Sequence, residues 1–338
     1  MSQSFAERLS NAWYQHAFWP WLFLPLTLLF SFILFIRKLF QPKPLPSAVP
    51  VVVVGNITAG GTGKSPLVSY LVRYFESKDL RVGIVSRGYG VKIPSGEVRI
   101  VETTSKAIDV GDEPLMLKRL LGCSIALSPQ RALAVEALAN TGVELIIADD
   151  GLQHYPMYRD VELCVVDGKR GLGNGQLLPV GPLREPSSRL EKVDAIVCNG
   201  ALEAQLALPE AVFSTEMRLA PKEFVRVDGS ERLSVELFVE QYGQQVFSAI
   251  AAIGNPQRFF DTLSSLGLEH QAYPYPDHYA YQQQDLDAIS NTVLMTEKDA
   301  AKCIDLDHEN AWFLRVEPEL QDNLGERLYN QLRQAGRL

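Results

Sequence analysis

Short, unbroken aliphatic and β-branched runs alternate along most of this chain with stretches in which apolar residues recur at helical spacing. Val51–Val54 is the purest run, and a short apolar run bounded by turn residues suits a strand buried on both faces, as in a parallel sheet. Val82–Val85, Val143–Ala148, Ala195–Asn199, Val246–Ile253, Val293–Met295 and Trp312–Val316 read the same way. Helical patterns follow at Pro66, after Gly111-Asp112-Glu113-Pro114, near Ser187 and after Gly254-Asn255-Pro256. The alternation predicts an α/β protein.

One apolar stretch is of another kind. From Ala17 to Ile36 there are about 20 residues without a formal charge, the length a helix needs to cross a hydrocarbon core. No basic segment precedes it and Arg37-Lys38 follows it, so it reads as a retained segment and not a cleaved signal peptide. Pro20 and Pro25 interrupt it early, and Trp13, Tyr14, Trp19 and Trp21 supply rings suited to headgroup depth, which favours shallow insertion over a clean span. Arg37, Lys38 and Lys43 set the following domain on the cytoplasmic side, beside anionic lipid. Gln41–Pro46 is proline-rich and reads as a stiff linker.

Composition changes this picture little. The 338 residues are 46% apolar and 21% charged, which is ordinary globular usage, and the length suits two α/β domains with an appendage. A net charge of -8 argues against nucleic acid as a partner. Cys123, Cys164, Cys198 and Cys303 are widely spaced, so they signal neither a zinc site nor a disulfide framework.

The chemistry concentrates at Thr58, Ala59, Gly60, Gly61, Thr62, Gly63, Lys64 and Ser65, between a buried strand and a helix. In that context a glycine-rich loop presents backbone N–H groups to phosphates, Lys64 reaches the β- and γ-phosphates, and Ser65 ligates Mg²⁺. Thr58 stands where the full motif has glycine, and Ala59 stands where partitioning-type ATPases carry a signature lysine. Asp149-Asp150-Gly151, at the end of the run beginning at Val143, supplies a Walker-B-like carboxylate for Mg²⁺. Thr296-Glu297-Lys298-Asp299 approximates a guanine-reading tetrad but has its lysine third instead of second, so ATP is the expected nucleotide.

The ordered motifs Gly55-Asn56-Ile57-Thr58-Ala59-Gly60-Gly61-Thr62-Gly63-Lys64-Ser65-Pro66, Ser86-Arg87-Gly88-Tyr89-Gly90, Gly111-Asp112-Glu113-Pro114, Asp149-Asp150-Gly151-Leu152-Gln153-His154, Gly181-Pro182-Leu183-Arg184-Glu185-Pro186 and Pro276-Asp277-His278 together resemble the tetraacyldisaccharide 4'-kinase, or lipid A 4'-kinase, family. The resemblance spans nearly the whole chain. It implies transfer of the ATP γ-phosphoryl group to the 4'-hydroxyl of a tetraacyldisaccharide 1-phosphate at the cytoplasmic face of the inner membrane, with no obligate protein partner. It further implies Asp112 as general base paired with His278, and Asp150 beside them in catalysis. Ser65, Asp149 and Glu185 are implied for Mg²⁺, and Arg87, Arg184 and Gln153 for the substrate.

The expected organisation is an N-terminal membrane-associated helix and linker (1–46), a P-loop NTPase-like three-layer domain (47–205) and a smaller α/β domain (206–338) closing the cleft. The rival reading is a membrane-associated P-loop switch or partitioning ATPase, which Ala59 weakens. A transporter ATPase would need a Leu-Ser-Gly-Gly-Gln signature, which is absent.

Overall fold

A computed structural model describes residues 5–338 except 42, 45, 203–205, 207, 278, 305 and 307–309. His278 therefore lies outside the described residues, and the expected boundary at 205/206 borders others that do. The strands are β1 Val51–Gly55, β2 Val82–Ser86, β3 Arg99–Ile100, β4 Ser124–Leu127, β5 Leu145–Asp149, β6 Val161–Asp167, β7 Ala195–Asn199, β8 Phe213–Arg226, β9 Arg232–Ser234, β10 Phe247–Ala251, β11 His270–Pro274, β12 Val293–Thr296 and β13 Ala311–Leu320. Among the described residues all belong to one sheet, ordered β11-β10-β12-β13-β8-β7-β6-β1-β5-β2-β4-β3, with β9 paired to β8.

Two parallel sets make up this sheet. In the first, β7, β6, β1, β5, β2 and β4 run side by side. Val52 and Val54 face one core and Val51 and Val53 the other, so helices cover both faces, which is why this strand has no polar side. Helix Lys64–Glu76 buries Leu67, Val68, Leu71, Val72 and Phe75 on the Val52 face. The second set is β11, β10, β12 and β13, with cores around Phe238 and Trp312 on one side and Ile250 and Met295 on the other.

The long antiparallel pair β8–β13 joins the sets and fixes their geometry. β7 lies along the start of β8, with Asn199 opposite Met217. β12 lies along β13 near the far end of β8, with Thr296 opposite Leu314 and Leu314 opposite Phe224. The first set runs parallel to β8 and the second antiparallel to it, so their carboxyl ends point toward each other. The intervening stretch of β8, from Met217 to Phe224, spans roughly 23 Å at strand rise. Ligands of parallel α/β sheets bind beyond the carboxyl ends of the strands, and here both sets direct those ends to one cleft.

The chain's last helix, Leu324–Gln334, returns to the first set, burying Leu324, Leu328 and Leu332 in the Val52 core. At the other terminus, helix Phe5–Tyr14, a 3₁₀ turn Trp19–Phe23 and helix Leu24–Leu39 follow one another, with Pro20 and Pro25 at the second positions of the last two, in the first turn, where proline is tolerated. Trp19–Leu39, 21 residues, is long and apolar enough to cross a membrane, with an 18-residue stretch of mean hydropathy 2.0 of which only 11% is buried. Leu22, Leu28, Phe32, Phe35 and Phe40 all stand exposed, so this is not a core helix. It touches the body through polar contacts: the Val180 N–H donates to Thr27 Oγ1 at 3.2 Å, and Arg37 Nη2 to the Gln153 carbonyl at 3.5 Å.

Candidate active site

The phosphate loop leaves β1 at Gly55 and enters its helix at Lys64, whose first-turn amides have no intrahelical partner and face the cleft. Gly63 has φ of 86°, and a Cβ there would meet Asn199 Nδ2 at 2.0 Å, so only glycine fits. That Asn199 amide donates to the Thr62 carbonyl at 2.9 Å, and Asn56 Nδ2 donates to the Gly60 carbonyl at 3.3 Å. The unusual half of the motif is held from outside: the Ala59 N–H donates to the Pro182 carbonyl at 2.7 Å, the Arg184 N–H to Ile57 at 2.7 Å, and Thr58 bridges Leu183. The segment 181–186 thus lies along 57–59 and fixes the loop where other versions rely on glycine or a lysine.

Lys64 Nζ lies 3.2 Å from Asp150 Oδ1 and 3.4 Å from Asn56 Oδ1, and Arg184 Nη1 is 3.6 Å from Asp150 Oδ2. Asp150 adopts φ of 50°, a conformation rare outside glycine, asparagine and aspartate. Burial pushes its carboxyl up, but Lys64, Arg184 and Arg131 outweigh burial and hold it below the ordinary aspartate value. Its neighbour Asp149 behaves oppositely. Burial, with the Glu113 charge second, pushes Asp149 up to about 7, and its Oδ1 has no hydrogen-bond partner.

Ser65 Oγ donates to Glu113 Oε1 at 3.4 Å, which brings the first turn of helix Asp112–Leu121 to the phosphate loop, with Asp112 half-buried beside it. Lys298 Nζ lies 3.4 Å from both Glu113 Oε1 and Asp277 Oδ1, so the chain segment preceding His278 also reaches this turn. Arg87 is exposed at the end of β2, and its charge acts on Arg131 and His154. Burial, helped by Arg131 and Arg159, pushes the His154 imidazole down to about 4, so it is neutral at pH 7.

Glu185 and Gln153 belong to a hydrogen-bond network of their own. Gln153 Nε2 donates to Glu185 Oε1 at 2.7 Å and to the Asn56 carbonyl at 2.9 Å, while the Tyr155 hydroxyl donates to Glu185 Oε2. Arg189 continues the network, 3.5 Å from Glu185 Oε2 and 2.5 Å from Glu162 Oε1, with Arg159 2.6 Å from the same Glu162 oxygen. Between this network and helix Leu24–Leu39 is a cavity of about 290 Å³, lined by Phe35, Arg37, Lys38, Tyr155 and Lys192 among others.

Sequence reasoning did not single out Asn56, Glu113, Arg131, Asn199 or Lys298. For Glu113 the signal lay inside Gly111-Asp112-Glu113-Pro114, where the first carboxylate took all the attention. For Asn199 and Arg131 it was a polar residue at, or just after, the carboxyl end of a buried strand.

A strand, phosphate loop and helix, with facing carboxylates at a cleft between two parallel sets, define a P-loop phosphotransferase. The sequence profile described as tetraacyldisaccharide-1-P 4'-kinase (LpxK) matches residues 19–333. Proteins named tetraacyldisaccharide 4'-kinase are similar throughout: that of Methylobacillus flagellatus is 44% identical over 98% of each chain, and that of Dechloromonas aromatica 46% identical over 93% of this chain and 92% of its own. The crystal structure of LpxK from Aquifex aeolicus, an "apo" form in complex with ATP, superposes with a TM-score of 0.76 at 27% identity, covering 94% of this chain and 99% of that one. The chain belongs to the tetraacyldisaccharide-1-P 4'-kinase family. A switch or partitioning ATPase is not favoured.

Proposed function

We propose that this protein transfers the γ-phosphoryl group of ATP to the 4'-hydroxyl of a tetraacyldisaccharide 1-phosphate at the cytoplasmic face of the inner membrane. The observation that supports the reading is the Ser65–Glu113 contact, which brings the helical turn that begins with Asp112 to the end of the phosphate loop. The amides of residues 60–65 cradle the ATP phosphates, Lys64 neutralises their charge, and Asp150 with Arg184 holds Lys64 in place. Asp112 accepts the proton of the sugar hydroxyl as its oxygen bonds to phosphorus and the bond to the β-phosphate oxygen breaks, leaving ADP. His278 is proposed to orient Asp112, and Arg87 to meet phosphate charge.

The donor set fits Mg²⁺. Asp149 keeps a buried oxygen without a partner, and Ser65 and Glu113 stand at the same end of the loop. Among the described residues no three acidic or histidine side chains form a metal cage by themselves, as expected for an ion that protein and nucleotide phosphates share. When bound, Mg²⁺ would supply charge neutralisation at the transferring phosphoryl group. Glu185 could join only by releasing one of the partners that occupy both its oxygens.

The exposed apolar helix supports a membrane-bound substrate. A four-chain lipid leaves the bilayer only at about 0.8 kcal/mol per exposed CH₂, so the enzyme must come to it. The cavity beneath that helix, with Arg37, Lys38 and Lys192 on its wall, suits the anionic disaccharide. Segments 47–205 and 206–338 then act as two units, the second closing the phosphate-loop cleft, and 1–46 as the anchor. Purified protein with ATP, Mg²⁺ and the disaccharide 1-phosphate in mixed micelles is expected to yield a bisphosphorylated lipid. No product from protein that binds ATP would overturn the reading.

A further inference from the structure

The tetrad Thr296-Glu297-Lys298-Asp299, which does not fit guanine recognition, occupies the end of β12 and the first turn of helix Glu297–Cys303. Thr296 Oγ1 caps that turn, accepting from the Asp299 N–H at 3.2 Å. Asp299 is fully buried, and its Oδ2 accepts from the Ala252 N–H at 3.1 Å. Lys302 Nζ lies 3.0 Å from Asp299 Oδ1 and donates to the Ala252 carbonyl at 3.4 Å. Together they fix the turn after β10, and that turn touches the phosphate loop: a Cβ on Gly254 would lie 2.7 Å from the Gly61 nitrogen.

Lys298 leaves the same helical turn and crosses the cleft. Its side chain is 15% exposed and its ammonium stands 3.4 Å from Glu113 Oε1 and 3.4 Å from Asp277 Oδ1. Glu113 Oε1 is the atom that also accepts from Ser65. Burial pushes the ammonium toward neutrality, but Glu113 and Asp277 outweigh it and keep the group charged. One cation from the second strand set therefore fixes two carboxylates, one next to Asp112 and one next to residue 278.

We propose that Lys298 is a positioning residue for phosphoryl transfer, setting Glu113 and Asp277, and through Glu113 the adjoining Asp112, at the phosphate loop. Small displacements of reacting groups cost on the order of a hundredfold in rate. A lysine that acts only through position should therefore be felt in turnover and not in nucleotide binding.

The test compares full-length Lys298→Met and Lys298→Arg with the parent, reading kcat, KM for ATP, ATP binding, and hydrogen exchange of the Tyr279 amide, which donates to the Pro276 carbonyl at 3.1 Å. Lys298→Met is expected to lower kcat roughly 30- to 100-fold with ATP affinity within about threefold, and to speed Tyr279 exchange. Lys298→Arg should recover at least about tenfold of the lost turnover, since charge and reach are kept. Turnover of Lys298→Met within about threefold of the parent, Arg no better than Met, or unchanged Tyr279 exchange would overturn the inference. The inference rests on the kinase reading. A parent that binds ATP but does not turn over the disaccharide defeats that reading, and the exchange measurement alone then decides the role of Lys298.

Discussion

Asp149 and Glu185 are both buried carboxylates beside the phosphate loop, 5% and 6% exposed, yet their surroundings are opposite. Glu185 has both oxygens engaged by Gln153, Tyr155 and Arg189, and the network runs on to Glu162 and Arg159. Asp149 has an oxygen with no partner, Glu113 acting on it from nearby, and a carboxyl pushed up to about 7. A satisfied buried carboxylate is scaffold, because its desolvation is already offset. An unsatisfied one beside a second carboxylate is a site made for a cation. Under the proposed function, the difference separates the face of the loop that holds its shape from the face that would do the chemistry.

Several measurements would sharpen or break this division. On the chemical face, Asp112→Asn should lower kcat by about 10²- to 10⁴-fold while ATP binding persists. Loss of ATP binding instead would reassign Asp112 to the metal or to structure. Lys64→Met should lower kcat/KM by about 10²- to 10³-fold, measured with saturating lipid. On the scaffold face, Arg189→Met removes the cation that links Glu162 to Glu185, while Arg159, Gln153 and Tyr155 remain as partners, and should reduce stability by about 1 to 3 kcal/mol in denaturant titration, with the folded protein still binding ATP. An Arg189→Met protein of unchanged stability would remove the scaffold assignment.

The smallest effect concerns pH. The Asp149 carboxyl is raised in the folded state, so between about pH 4 and 7 the folded protein holds a proton that the unfolded chain has released. Stability of the ligand-free protein should therefore fall as pH rises through that window, and Asp149→Asn should flatten the dependence. A slope unchanged by Asp149→Asn would mean that Asp149 is not the group responsible.

Much of the first strand set was legible because its signals are local. Val51–Val54, the turn at Gly55 and the helix beginning near Pro66 follow from β-branching and glycine spacing, and the helix starts only two residues earlier, at Lys64. The apolar N-terminal helix was legible because nothing but length and lack of charge is needed to recognise it. β8 was not. Its 14 residues, from Phe213 to Arg226, are mostly half-buried or exposed and contain Pro221, and the expected domain boundary at 205/206 fell just before it. Pro221 is accommodated where the β8–β13 register shifts, a place where a ladder tolerates a missing donor. Among the residues that meet at the phosphate loop, Lys64, Ser65 and Asp150 stood out within contiguous motifs, whereas Asn56 and Glu113 did not although they lie in such motifs too. Lys298 was set aside because its motif was weighed against nucleotide-base recognition alone.

The sequence by itself determined the phosphate loop, the buried strands beside it, the carboxylates near it and the apolar N-terminal helix, because each depends on neighbours within a few positions. Tertiary structure alone decided which carboxylate is satisfied, which face of the loop Glu185 serves, and that Lys298 reaches Glu113. Those outcomes depend on a ribbon that turns the carboxyl ends of two strand sets toward each other, and so on pairings between residues up to a hundred or more positions apart. No local pattern encodes such a pairing, since partners at that separation are chosen by the burial and register of the whole sheet.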